Sequence, residues 1–336
     1  MPTSSGHCGE RCAMKAPEAS SQRAPLAIVI PAYKADFFAA TLASIARQTC
    51  RDFVVYVGDD AAPYDLAVIC RDFEQHLPLR YTRFARNLGQ RDLVGHWERC
   101  IALSSEPWVW LFSDDDLMDP DCVAVWRTRV IEDAGAFDLY HFDVVEIDAR
   151  GAVSGEAPPF PDCLPTLQFM LARMENRLSS YAPDYIFSRA ALRAQGGFQS
   201  FPAAWAADDA TWIKLGRRGG IRAVRGPKVR WRRSTLNISA PHSPQARQKL
   251  AGAVQFVGWA ARYLRQHPPG VDDPSAEVLM ERAWHWLHEQ RVWLDVPFSR
   301  GGLTHAWHLR SADRYGFLGA ALRLAYWELR WRFRGW

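Results

Sequence analysis

Four short strand-like runs, three of them apolar and each followed by a stretch with helical periodicity, restrict this chain to a small set of architectures. Leu26 to Ile30, Phe53 to Val57, Leu79 to Phe84 and Trp108 to Phe112 are long enough for buried strands and too short for stable helices. Between them, Phe38, Leu42 and Ile45 recur at i, i+4 and i+7. Leu66, Ile69 and Phe73, then Leu93, Trp97 and Ile101, repeat the pattern. Strands alternating with helices in this way form βαβ units. Their right-handed crossovers bring the carboxyl ends of the strands to one edge of a mostly parallel sheet. The fold class is α/β.

Polar groups follow those strand ends. The first strand closes on Pro31-Ala-Tyr33, the second on Gly58-Asp59-Asp60, the third on a turn containing Asn87, and the fourth on Ser113-Asp114-Asp115-Asp116. Packing gains nothing from acids at several ends of one sheet, and α/β proteins bind ligands outside that edge. Three adjacent carboxylates repel one another, so this loop reads either as a solvated acidic turn or as a seat for a hard cation such as Mn²⁺ or Mg²⁺. Asp119-Pro120 reads as the start of the next helix, with Asp as N-cap.

Further along, 137–147 alternates as a strand, 153–165 is a Pro-rich loop, 166–178 is a helix and 185–187 a short strand. Gly196-Gly197 marks a helix stop. Asp208 and Asp209 stand at a helix N-terminus, where the dipole favours an ionised carboxylate. Arg217 to Arg233 holds eight basic residues and no acid, a run that reads as a solvated face or as a contact for diphosphate or lipid. Helices are expected at 244–267, 275–294 and 312–332. The last mixes Leu, aromatics and Arg, which suits either a packed helix with snorkelling arginines or an interfacial helix on an anionic membrane. The division expected is a polar, disordered leader at 1–24, an α/β domain at 25–242 and a helical region at 243–336. No apolar run approaches the roughly 18–20 residues of a membrane span. The leader lacks the apolar segment of a secretory signal. Seven scattered cysteines fit reduced thiols in a cytoplasmic protein, and a net charge of +4 is too small to argue for nucleic acid.

Taken together, Ile28-Val-Ile-Pro-Ala-Tyr33, Val57-Gly-Asp59-Asp60, Asn87-Leu-Gly89, Phe112-Ser-Asp-Asp-Asp116 and Gly196-Gly-Phe198 followed by Asp208-Asp209 resemble the motifs of family 2 glycosyltransferases. The matching stretch runs from about Leu26 to Ser239. The resemblance implies a GT-A fold with a C-terminal helical extension, and inverting transfer of a sugar from a nucleotide diphosphate. A UDP- or dTDP-sugar is favoured as donor, with an acceptor hydroxyl on a bacterial surface glycan or lipid-linked saccharide. It further implies Pro31, Tyr33, Asp59, Asp60 and Asn87 around the nucleotide, Asp115 on the metal, Asp114 and Asp116 assisting at the donor, and Asp209 as general base. Ser234 stands where many relatives carry a metal-ligating His, and the signature of processive synthases is missing. On this reading the protein is cytoplasmic, or peripheral at the inner face of the membrane through 312–336. A catalytically degenerate sugar-nucleotide binder, or an Arg/Trp-rich membrane or polyanion binder, is the alternative.

The chemistry needs such residues. Departure of a nucleoside diphosphate leaves negative charge that a divalent ion stabilises. A carboxylate on the far side of the sugar takes the acceptor proton, an effect on the order of 10²–10⁴-fold in rate.

Overall fold

The computed structural model describes residues 26–234 and 244–332; the expected leader at 1–24 lies outside the described residues. The first half contains β1 (Leu26–Ala32), α1 (Phe38–Ala46), β2 (Phe53–Asp59), α2 (Leu66–Phe73), β3 (Leu79–Arg83), α3 (Leu93–Ile101), β4 (Trp108–Leu111), β5 (Leu117–Met118) and α4 (Cys122–Glu132). There follow β6 (Leu139–Ile147), β7 (Val153–Glu156), β8 (Cys163–Leu164), α5 (Thr166–Met174), β9 (Tyr185–Ser188), α6 (Arg189–Ala194), α7 (Ala207–Leu215) and β10 (Ile221–Arg232). Four helices close the chain: α8 (Ala246–Gln266), α9 (Ala276–Leu294), α10 (Gly302–Leu309) and α11 (Gly316–Arg332).

The sheet runs β3-β2-β1-β4-β9-β6-β10-β5, with β7 beside β6 and β8 beside β10. From β3 to β4 it is parallel, as the alternating pattern requires, with Ile28 opposite Val55 on one side and Trp110 on the other. Beyond β4 it is mixed. β9 is antiparallel to both β4 and β6, while β6 and β10 are parallel. A four-residue apolar run carries no directional information; its sense depends on where the preceding turn delivers the chain.

Alternation in β1 shows how the layers form. Leu26, Ile28, Ile30 and Ala32 face a core shared with α1, α2 and α4. Ala27 and Val29 face another, shared with residues of α3, α5 and α7. That second core extends without a break into the C-terminal helices through Leu250, Val254 and Val257 of α8 and Leu279, Ala283 and Leu287 of α9, all fully buried. The helical region therefore completes the hydrophobic interior of the sheet domain.

Three local expectations differ from the structure. The helix expected at Asp119-Pro120 begins at Cys122, because Leu117–Met118 first pairs with β10 and Asp119 accepts the Lys228 N–H at 3.0 Å and Arg230 Nε at 2.8 Å. The Pro-rich stretch 153–165 contains the short strands β7 and β8, which add to the edges of β6 and β10. The expected helix at 312–332 starts only at Gly316, and α10 precedes it. The basic run from Arg217 is partly solvated, with Arg217, Arg218 and Arg233 exposed, and most of its arginines are ion-paired. Arg218, Arg222, Arg225, Arg230 and Arg233 pair with Asp138, Asp133, Asp143, Asp119 and Glu146.

Phe142 of β6 is fully buried and stacks on Trp110 of β4 at 4.9 Å. Phe142→Ala should lose about 3–5 kcal/mol of stability in urea unfolding. A loss below about 1 kcal/mol would show that this layer repacks freely.

Candidate active site

The acidic loop is tied into the sheet edge by backbone donors. Asp114 Oδ2 accepts the N–H groups of Tyr33 and Lys34, both at 2.8 Å, which binds the end of β4 to the turn after β1. Asp116 is 1% exposed, and its Oδ1 accepts the Arg232 N–H at 2.7 Å. Arg232 also donates from Nε to the Asp115 carbonyl at 2.8 Å and from Nη1 to the Asp148 carbonyl at 2.9 Å. Its guanidinium therefore braces the loop. Among the described residues the Asp115 carboxylate accepts from no backbone N–H; it meets the Lys34 ammonium, which also lies 3.2 Å from Asp114 Oδ1. Burial lowers the affinity of Lys34 for its proton, but the charges of Asp114 and Asp115 outweigh that and raise it above the ordinary lysine value. Burial pushes the Asp116 carboxyl up to about 8, with the Asp115 charge adding to the effect.

A second cluster forms at the ends of β2 and β3. Asp60 is 2% exposed, and its carboxylate accepts the N–H of Leu88 at 2.7 Å, that of Gly89 at 2.8 Å, Asn87 Nδ2 at 3.0 Å and the Arg99 guanidinium. It thus shapes the Asn87-Leu88-Gly89 turn. Gly89 is the residue that lets the turn close on it, since a Cβ there would lie 2.7 Å from Asp60 Oδ2. Asp59, fully buried, accepts from Ala62 N, Tyr81 Oη and Arg83 Nη1. Pro31 lies in register with Gly58. The Tyr33 hydroxyl accepts from Gln90 Nε2 at 3.4 Å, so the β1 turn and the Asn87 turn meet. A shallow cleft of about 250 Å³ continues from Gly89 and Gln90 to Pro202, Ala203 and the start of α8.

The third part lies at the N-terminus of α7. Asp209 is gripped by Arg173 of α5, which donates from Nε at 3.0 and 3.2 Å to its two oxygens and from Nη2 at 3.1 Å. Half-buried Asp208 accepts the Asp209 N–H at 3.0 Å. Burial, aided by the neighbouring Asp209 charge, pushes the Asp208 carboxyl up to about 7. The approach to this pair is strained, with Ala203, Ala204 and Ala206 all at φ between 52° and 59°. Three non-glycine residues in the left-handed region within four positions are the kind of strain that accumulates at functional sites. Asp184, fully buried before β9, accepts the Tyr181 N–H at 2.7 Å. Burial raises its pKa well above the usual value, and the charges of Asp116 and Asp208 both add to the rise.

The family model described as glycosyl transferase family 2 matches residues 27–151, which contain the β1 turn, the Asp60 cluster and the acidic loop. The chain carries a family 2 glycosyltransferase domain. Among solved structures, S. aureus TarS 1-349 in complex with UDP-GlcNAc is similar with a TM-score of 0.64 at 13% identity, covering 91% of each chain. The same TarS fragment in complex with UDP gives a TM-score of 0.62 at 14% identity, again over 91% of each chain. At such identities the likeness shows the GT-A fold. Comparison with curated proteins gives no match.

In this glycosyltransferase the loop suits a divalent ion only in one form. Among the described residues no group of three His, Cys, Asp or Glu side chains is arranged to hold a metal. The Asp115 carboxylate carries an ammonium in the structure, which stands in for the cation such a seat attracts. Mg²⁺-type ions are often held by one or two carboxylates together with substrate phosphates, and Asp115 fits that shared arrangement. Lys34, Arg173 and Asp184 were not singled out by sequence. Lys34 directly follows Tyr33, so its place beside the loop could have been inferred; nothing in the periodicity of α5 or around Pro183 marks the other two.

A pKa raised in the folded state makes ionisation of Asp184 destabilising. Stability from this source is intact below the unfolded-state value near 4 and falls as pH rises toward the folded-state value. The stability of Asp184→Asn relative to the wild type should therefore increase as pH is raised above about 4. A difference that stays constant with pH in denaturant titrations would show that Asp184 is not the strained group.

Proposed function

We propose that this glycosyltransferase inverts the configuration of a sugar as it moves it from a nucleoside diphosphate, most readily a UDP- or dTDP-sugar, to a hydroxyl of a surface glycan or lipid-linked saccharide. The observation that carries the reading is the position of Asp114–Asp116 at the carboxyl end of β4, beside the β1 turn and inside the family-matched segment. The uracil nucleotides are favoured because the family resemblance gives Asp60 a base contact, and the structures of similar fold were obtained with UDP-GlcNAc and UDP.

Pro31, Tyr33, Asn87 and the Asp59–Asp60 cluster border the nucleotide. Asp60 acts there mainly by fixing the turn, since its oxygens already accept several donors. Asp114 and Asp116 hold the loop at the donor, and Asp115 would hold a Mn²⁺ or Mg²⁺ ion jointly with the diphosphate. When bound, that ion supplies charge neutralisation at the leaving group. Lys34, displaced from Asp115, is placed to reach the same phosphates. The acceptor proton goes to the carboxylates at the start of α7, with Asp209 the base by family resemblance and Arg173 fixing its orientation.

Calorimetry with UDP, dTDP, GDP and CDP, with Mn²⁺ and with EDTA, tests donor class and metal together. One diphosphate should bind, and more tightly with metal. In Asp115→Ala that metal dependence should vanish; an unchanged dependence moves the ion elsewhere. No binding of any diphosphate by folded protein overturns the donor reading.

Asp209→Asn should keep nucleotide affinity and lose transfer by on the order of 10²–10⁴-fold. If Asp208→Asn produces that loss while Asp209→Asn does not, and kcat/KM falls as pH drops below about 7, the base is Asp208, whose carboxyl sits near that value.

A further inference from the structure

No helix among the described residues is long and apolar enough to cross a membrane, yet α11 leaves an apolar stripe in water. Leu318, Leu322, Tyr326 and Leu329 are 70, 72, 54 and 55% exposed. At 100° per residue they fall within about 80° of one another around the helix axis. On the other side of the helix Ala320 and Leu324 are buried in the core, and Glu328 accepts the Phe298 N–H at 3.0 Å. The neighbouring helix α10 exposes Leu303 and Trp307 as well, and Tyr315 is exposed in the connection. Scattered single apolar residues on a surface mean little, whereas a continuous stripe calls for an occupant.

The charges around the stripe identify it. Residues 299–330 contain five arginines and two acids. Both acids turn inward: the Asp313 side chain is 3% exposed against Arg323, and Glu328 lies against Arg291. Arg300, Arg310, Arg314, Arg323 and Arg330 are all exposed. Arg310 lies over the Trp307 ring at 3.9 Å and Arg314 over Tyr315 at 4.5 Å, so cations and aromatics share the surface. A second copy of the chain is a poor occupant, because a two-fold interface pairs a patch with itself and would set these arginines against their own equivalents. A polyanion such as nucleic acid would use the arginines and leave the leucines in water.

We infer that the exposed face of α10 and α11 docks on an anionic phospholipid surface, with the leucines and tyrosines at the acyl boundary and the arginines at the headgroup phosphates. The contact would lay the helix in the interface plane. It does not depend on which nucleotide sugar the enzyme uses.

Vesicle flotation of the full-length protein tests this, comparing phosphatidylcholine vesicles with vesicles that also contain phosphatidylglycerol. The wild type should float with the anionic vesicles and much less with the neutral ones. Leu318→Glu/Leu322→Glu/Leu329→Glu, checked for an unchanged melting curve, should weaken binding by on the order of tenfold or more per leucine. Arg310→Gln/Arg314→Gln/Arg330→Gln should weaken binding to the anionic vesicles by about fivefold per arginine and change neutral binding little. Three results would overturn the proposal: wild type that stays unbound, a leucine variant that floats as well as wild type, or light scattering that shows a leucine-dependent dimer in place of vesicle binding.

Discussion

The carboxylate of Asp114, accepting two backbone N–H groups from the turn after β1, is the interaction on which the active-site edge depends. It joins the first strand to the fourth where their carboxyl ends meet. Asp116 makes the corresponding tie to β10 through the Arg232 N–H, and the Arg232 guanidinium returns bonds to the backbone carbonyls of Asp115, Asp148 and Ala149. Three strands far apart in sequence are thereby fixed to one loop. Asp115, between the two structural acids, is left to face a cation.

This arrangement concentrates negative charge in a poorly solvated place. Asp116, Asp184 and Asp208 all have carboxyl groups raised by burial, and neighbouring acids contribute to each rise. Such a row disfavours full ionisation until positive charge arrives. Lys34, beside Asp114 and Asp115, and Arg173, beside Asp209, supply part of it within the chain. Perturbed acids clustered in a cleft are a frequent mark of functional sites. Here they belong to the acidic loop, the turn before β9 and the start of α7.

The helical region contributes differently. α8 and α9 close the core that the sheet leaves open, burying Trp259, Trp284 and Trp286 among the residues of α5 and α7. That accounts for much of the tryptophan-rich composition of the C-terminal quarter as packing. On α10 and α11 apolar and basic residues are exposed together.

Sequence alone determined the βαβ order, the placement of acids at successive strand ends, the helices at 244–267 and 275–294, and the family to which the first half belongs. Each follows from local periodicity or short motifs, which act within a few residues. It did not determine the antiparallel sense of β9, the extra strand at Leu117–Met118 that displaced the helix start, or the two-helix division after Gly301. Those depend on where distant segments meet. The roles of single site residues were decided the same way. Asp60 proved to be enclosed by the Asn87 turn, Asp209 to be gripped by Arg173, and Arg232 to brace the loop, because a side chain's role depends on the partners that folding brings to it. Those partners lie 29 positions from Asp60, 36 from Asp209 and 117 from Arg232, beyond the reach of any sequence window.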